Sequence, residues 1–235
     1  MQGRESVDSP HSCAARATLR DRLIQATIRL LAAEGPAGLT VRRVSRICEV
    51  STMAIYSNFS GMPGLLRAVG SAGFTQLSAR LGACEPSDDP ITDIVVLGFV
   101  FRDEAVRNPA LFRLMFDTEP PSAQPRIRGG NLLSGTPGAG HGDFAESFDH
   151  VVRATQRALD TGLVRAASAR AAAAQFWTGL YGFIQLDLAG HYGDEGIGEV
   201  LLPSIVNIMI GMGADPERVR QSVDQAVRRV LSPAA

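Results

Sequence analysis

From Thr18 onward, apolar residues return every three or four positions, the spacing of an amphipathic helix. Leu19, Leu23, Ile24, Ile28 and Leu31 share one face with Thr27, and Thr18 with Asp21 forms a capping-box variant in which Asp stands for the usual Glu or Gln. Gly35-Pro36-Ala37-Gly38 cannot continue the helix, so it ends near Glu34. Thr40 opens a second short helix, Val41 to Cys48, with Val41, Val44 and Ile47 facing inward and Arg42, Arg43 and Arg46 facing mostly outward. After a break at Glu49-Val50, Ser51 is placed to cap a third helix by accepting a bond from a backbone N–H two or three residues ahead. Ala54, Ile55 and Phe59 supply that helix's buried side. Two short helices joined by so tight a turn predict a helix-turn-helix.

The rest of the chain reads as helix over Leu65–Leu81, Pro90–Arg107, Pro109–Phe116, 143–159, 167–189, 197–212 and Pro216–Leu231. Asp215-Pro216 is a start signal for the last, an N-cap followed by proline in the first turn. No strand pattern or internal repeat interrupts this series. The expected fold is all-α, with an N-terminal three- or four-helix module containing the helix-turn-helix over residues 16–67 and a larger helical body over 68–235. Residues 1–15 lack periodicity and read as a disordered arm, and the Gly- and Pro-rich segment 119–142 reads as a flexible loop. Gly138 and Gly140 in that loop are no phosphate cradle, because no strand precedes them.

Charge changes the picture of the first third. The chain has a formal net charge of −1 over 235 residues, yet residues 1–67 carry nine arginines against five acids. Lysine is absent, so every basic side chain is a planar guanidinium suited to phosphate and to guanine edges. A basic first third on an acidic body points to an anionic partner for that third alone; the competing reading is a solvated charged surface. No apolar run is long enough to span a membrane and the N-terminal residues lack the apolar centre of a signal peptide, so a cytoplasmic protein is expected. Cys13, Cys48 and Cys84 show no CxxC spacing and read as free thiols.

The nine residues Ser51-Thr52-Met53-Ala54-Ile55-Tyr56-Ser57-Asn58-Phe59 hold no charge in the middle of this arginine-rich region. Together with the run Gly38-Leu39-Thr40-Val41-Arg42-Arg43-Val44, the Val50-Ser51 turn and the Ile55-Tyr56-x-x-Phe59 pattern, this stretch resembles the DNA-binding domain of the TetR family of bacterial transcriptional regulators. The resemblance covers Leu19 to Leu66. It implies that Thr40, Arg42 and Arg43 meet phosphate or a base edge, that Thr52, Met53 and Ala54 face the bases after Ser51, and that Tyr56, Ser57 and Asn58 contact phosphates or bases. Two positions depart from the family pattern: Glu49 stands where the turn usually has Gly, and Met62 where the following helix usually has Lys. Methionine cannot neutralise a phosphate, and Arg16, Arg20 and Arg22 are candidates to replace that contact. In the body, Trp177-Thr178-Gly179-Leu180-Tyr181-Gly182 is similar to the Trp-x-x-x-His-Gly signature of one class of C-terminal domains in the family, with Tyr181 in place of His.

The resemblance also implies a small-molecule site in the body, for whose lining Phe101, Phe112, Met115, Phe116, Phe148, Trp177, Tyr181 and Gln185 are the candidates, the last three spaced four apart on one helix face. Ordinary core packing is the alternative for each. Asp187, between two leucines, needs an arginine partner, exposure, or a cationic ligand. His11, His141, His150 and His191 have no metal-ligand spacing, and neither a nucleophile elbow nor a Cys/His pair is visible, so no cofactor, metal or catalysis is expected. One recognition helix reads only a few base pairs, so the resemblance implies a homodimer on a double-stranded, palindromic operator. The helix holding Gly179 and Gly182 and the stripe Val219, Val223, Val227 and Val230 are its candidate surfaces, unless they are internal core. The expected function is a repressor released by a small-molecule effector. An activator or ligand-independent DNA binder would share the same fold, and a ligand-binding helical protein or enzyme with a vestigial DNA module is the more distant alternative.

Overall fold

The computed structural model describes residues 18–116, 132–133 and 142–232. The arm expected over 1–15 and nearly all of the loop expected over 119–142 lie outside them, as do Cys13, Arg16, His11 and His141. Every regular element among the described residues is helical: α1 Leu19–Glu34, α2 Val41–Ile47, α3 Thr52–Phe59, α4 Met62–Gly82, α5 Pro90–Arg107, α6 Pro109–Phe116, α7 Gly142–Asp160, α8 Ala169–Leu188, α9 Leu202–Gly211 and α10 Pro216–Leu231. A π-turn over Ile197–Leu201 leads into α9, so the helix expected over 197–212 is wound more loosely in its first turn.

Local chemistry sets most of the boundaries. The Thr18 hydroxyl accepts a bond from the Asp21 amide at 3.1 Å, and the Asp21 carboxylate accepts one from the Thr18 amide at 3.1 Å, which closes the capping box at the start of α1. The Thr18 hydroxyl also donates to that carboxylate at 2.7 Å, and this bond, with the one from the Thr18 amide, holds the Asp21 carboxyl below its usual range. Asp215 caps α10 by accepting from Arg218 N at 2.8 Å, with Pro216 in the first turn. Ser51 departs from expectation: it occupies the N-cap position of α3, but its hydroxyl makes no capping bond. Ile47 also departs, being 49% exposed at the end of the two-turn helix α2, where only Val44 and Ser45 are buried.

Helix α4 runs through the 67/68 boundary and belongs to both halves. Its Leu65, Val69, Phe74, Leu77 and Leu81 are all buried in one continuous core with Leu23, Leu30, Val44 and Ile55 of the first three helices, and the helix packs on α1 and α3 as well as on α5 and α7. α6 packs on both α1 and α4. Gly73 permits this approach, since a Cβ there would lie 2.6 Å from the Met115 sulfur. The valine stripe of α10 is internal in its first half: Val219 and Val223 are buried with Ala226 on the face that meets α5.

Buried polar groups in the body are tied across long sequence separations. Asp93 receives Arg157 at 2.5 Å, Arg229 at 3.2 Å and the Ser87 hydroxyl at 2.7 Å, while both arginines also donate to carbonyls of the α4–α5 turn, Ser87 and Glu85. One carboxylate thus fastens that turn to α5, α7 and α10. Asp187 pairs with Arg102 at 2.7 Å, one of the three arrangements left open for it. His150 of α7 sits 3.2 Å from the Ser78 hydroxyl of α4, and burial, helped by Arg153, pulls its pKa below the usual histidine value.

Two outcomes follow for stability. Asp93→Asn leaves two guanidiniums facing each other beside a buried amide and should cost on the order of 3 kcal/mol in urea unfolding. Ser45→Ala removes a buried hydroxyl with no hydrogen-bond partner among the described residues and should be neutral or stabilise by about 1 kcal/mol. A large loss in the second variant would mean that the hydroxyl has a partner.

Candidate functional site

The outward surface of α2 and α3 has the character of a groove reader. Met53 is 68% exposed and Tyr56 53% exposed, and Thr52 and Ser57 lie in the open while Ile55 and Phe59 point into the core. The helix carries no charged residue. Its N-cap side chain makes no bond, so Ser51 leaves the first backbone N–H groups without a side-chain acceptor at the positive end of the helix dipole.

Several predicted contact residues also have internal duties. The Thr40 hydroxyl caps α2 by accepting from Arg43 N at 3.2 Å. Arg43 is ion-paired with Glu34, whereas Arg42 and Arg46 are exposed and form no ion pair among the described residues. Asn58 donates its amide to the Ala54 carbonyl at 2.7 Å, and the Ser57 hydroxyl donates to the same oxygen at 3.2 Å, so both side chains fold back along α3. Arg20 and Arg22, considered as substitutes for the cation missing at Met62, each donate to a backbone carbonyl, that of Asn58 in α3 and that of Cys48 at the C-cap of α2.

The turn between α2 and α3 is strained at one residue. Glu49 adopts φ 56°, the left-handed conformation in which a Cβ crowds the following carbonyl. The chain needs that conformation to bring Val50 N back to the Ser45 carbonyl at 3.0 Å. At the other end of α3, Gly64 lies so close to the Phe59 carbonyl that a Cβ there would meet the oxygen at 1.6 Å. Only glycine fits this junction.

The second candidate site lies in the body. Seven of its eight expected residues stand in one aromatic cluster or against it. Trp177 lies 4.4 Å from Phe101, 5.6 Å from Phe116 and 5.9 Å from Phe148 by ring centroids, and stacks on Tyr181 at 6.4 Å with the planes 10° apart. Phe112 and Phe116 of α6 are 4.7 Å apart, and Met115 of the same helix reaches Gly73 of α4. Gln185, the eighth, donates to the Tyr181 hydroxyl at 3.1 Å and gives the cluster a polar edge. Two further rings belong here. Phe74 of α4 lies 5.1 Å from Phe116, and Phe144 of α7 lies 5.6 Å from Trp177. Their helices give no local sign of reaching so far. The clefts of about 510 Å³ beside Asp89 and Arg218 and about 390 Å³ beside Arg20 and Arg67 lie elsewhere. Among the described residues no group of His, Cys, Asp and Glu could hold a metal ion, and no helix is long and apolar enough to cross a membrane.

Comparison with known proteins bears on both sites. Residues 23–69 match the family model of bacterial regulatory proteins, tetR family, and residues 94–202 match that of the tetracyclin repressor-like C-terminal domain. No curated protein matches the chain. A protein of unknown function from Rhodococcus sp. RHA1 has a similar fold, with a TM-score of 0.67, 21% identity, and coverage of 87% of this chain and 99% of that one. RolR in complex with resorcinol gives a TM-score of 0.62 at 16% identity, covering 87% of this chain and 92% of its own. A bacterial regulatory protein in the tetR family from Rhodococcus RHA1 gives 0.58 at 16% identity, covering 84% and 98%.

The strained turn can be tested directly. Glu49→Gly should raise stability by about 0.5 to 1 kcal/mol, the left-handed penalty less the entropy that glycine adds to the unfolded chain. Glu49→Ala keeps the Cβ and should not. Equal urea midpoints for the two variants would contradict the assignment of strain to this residue.

Proposed function

We propose that this chain, which belongs to the tetR family of bacterial regulatory proteins, is a cytoplasmic transcriptional repressor that binds a palindromic operator as a homodimer and leaves it when a small molecule enters the body. Residues 16–67 read DNA and residues 68–235 bind effector and partner. The observation that carries this reading is the charge-free, outward face of α3, bordered by arginines that have no lysine among them. Thr52, Met53 and Ala54 are short or flexible enough to sit deep in a major groove, where Met53 or Thr52 touches a thymine methyl. Arg42 and the open N-terminus of α3 take backbone phosphates, and Tyr56 adds a hydroxyl to the same strand.

The effector site is the aromatic cluster around Trp177, with Tyr181 and Gln185 as its polar edge. A ligand entering there exchanges ring–ring contacts for its own, which favours a small planar compound with one or two hydroxyls. RolR, which shares the fold, is seen with resorcinol, and that compound is the natural first probe. The body fits the class with the Trp-x-x-x-His-Gly signature, Tyr181 replacing the imidazole. Phe112, Met115 and Phe116 of α6 connect the cluster to α4 through Gly73 and to α1 through the packing of α6. Displacing them shifts the helices that hold α3. A coupling of about 1 to 3 kcal/mol would change operator affinity roughly 5- to 150-fold, and DNA would weaken effector binding by the same factor.

The second copy fits the face formed by α8 and α9. Of α9 only Met209 is buried, although the helix is nearly all apolar, and Leu186 of α8 is 44% exposed. Gly182 keeps the α8 surface low enough for close helix approach, while Gly179 admits Ile208 of α9 within the same chain. This replaces the α10 stripe as the docking surface. Pairing there would set two recognition helices in neighbouring major grooves roughly 34 Å apart.

Selection of duplexes from a random-sequence DNA pool tests the reading, followed by salt-dependent binding and a resorcinol titration that monitors Trp177, the single tryptophan. An enriched palindrome is expected. Arg42→Ala should lower the salt slope by about one, while Tyr56→Ala weakens binding about tenfold, with the dimer intact. No enrichment at low salt would end the regulator reading. A compound that perturbs Trp177 fluorescence without altering DNA affinity would end the coupling.

A further inference from the structure

Arg20 and Arg22 stand two residues apart on the first turns of α1, so they leave the helix on different sides. Each ends on the backbone of a different helix. Arg20 donates to the Asn58 carbonyl at 2.7 Å, and its guanidinium carbon lies 4.5 Å from the centre of the Phe59 ring. Arg22 donates to the Cys48 carbonyl at 3.1 Å, while the Cys48 sulfur lies 3.8 Å from the Arg22 carbonyl in a weak reciprocal contact. Burial pushes the Cys48 thiol up, which keeps it a donor. Both receiving carbonyls lie at helix C-terminal ends, where backbone oxygens lack helical partners and the dipole is negative.

α3 has a particular need for such a tie. It is eight residues long, has no basic residue in its last turn, and its own side chains reach the core only through Ile55 and Phe59. The connection to α4 passes through Ser60 at φ 59° and Gly61 at φ 100°, two successive left-handed residues that break the helix axis. α1, by contrast, is anchored by Leu23, Thr27, Leu30 and Leu31. A charged hydrogen bond and a cation–π contact from this anchored helix to the last turn of α3 limit its roll and tilt.

We propose that Arg20 and Arg22 are positioning residues for DNA reading: Arg20 fixes the orientation of the recognition helix and Arg22 that of its partner α2, without either contacting DNA. The proposal rests on the DNA-binding reading above. It separates these two arginines from Arg42 by role, although all three contribute to the basic first third. The cleft shared by Arg20, Ser60, Gly64 and Arg67 offers the rival role, a backbone phosphate contact.

The test uses the full chain and the duplex that the wild-type protein enriches from a random-sequence pool, with a scrambled duplex of equal length as control. Arg20→Met keeps an apolar stem over Phe59 and removes the donor and charge. It should weaken binding to the enriched duplex about tenfold by lowering the fraction of α3 in the competent orientation. Binding to the scrambled duplex should stay within about twofold, and the salt slope should not change. Arg20→Lys, which restores a charged donor, should recover most of the loss, and Arg22→Met should repeat the pattern more weakly. A salt slope reduced by about one on both duplexes would overturn the proposal in favour of a phosphate contact. A lowered thermal midpoint with unchanged affinity per folded molecule would overturn it in favour of plain stability. Failure of the wild-type chain to enrich any duplex would strike the DNA-binding reading before any variant is made.

Discussion

Burial of α4 at both ends is the constraint on which the other features depend. At about 1.5 Å per residue, its 21 residues span roughly 30 Å, far enough to place one end among α1 and α3 and the other among α5 and α7. Leu65, Val69, Phe74, Leu77 and Leu81 are all buried in the one core that runs from the first helices into the body, so neither end of α4 can leave it without exposing apolar surface. The two halves of the chain therefore share a rigid element instead of being tethered by a linker. What moves one end of α4 is felt at the other.

This arrangement explains how so short a helix as α3 can have a defined direction. Its base rests on α4 through the close Gly64–Phe59 approach, its last turn is tied to α1 by Arg20, and its partner α2 is tied to α1 by Arg22. The aromatic cluster meets the same two supports from the opposite side. Phe74 belongs to α4 itself, and α6 contributes Phe112 and Phe116 to the cluster while it packs on α1 and α4. A planar molecule that displaced these rings would press on α6 first. The Asp93 ion cluster holds the far end of α4 through its following turn.

Local signals were readable from the residues themselves. The Thr18–Asp21 box, the Gly35–Gly38 break and Asp215-Pro216 act through neighbours in sequence, and each boundary falls where that chemistry puts it. The aromatic residues of the body were also legible as a set, because α5, α6 and α8 each show an apolar face. Features decided by distant partners were not. Ile47 has an inward spacing but α2 ends before anything covers it, and spacing alone leaves the α10 valines open as docking surface or internal core, of which Val219 and Val223 prove internal and Val230 exposed. The Asp93 partners are 64 and 136 residues away, and the arginines of α1 read as DNA contacts because charge counting does not reveal a carbonyl 26 or 38 residues further on. Ser51 sits at the right place for a cap but its hydroxyl makes no such bond.

Native-state hydrogen exchange along α4 tests the shared strut most directly. The account expects the amides of Leu65, Val69, Phe74, Leu77 and Leu81 to open with one free energy and one denaturant dependence, since neither end can detach alone. Opening of Leu65 and Val69 at a clearly lower free energy than Phe74 to Leu81 would contradict it, because the N-terminal module would then come loose while the body stayed folded.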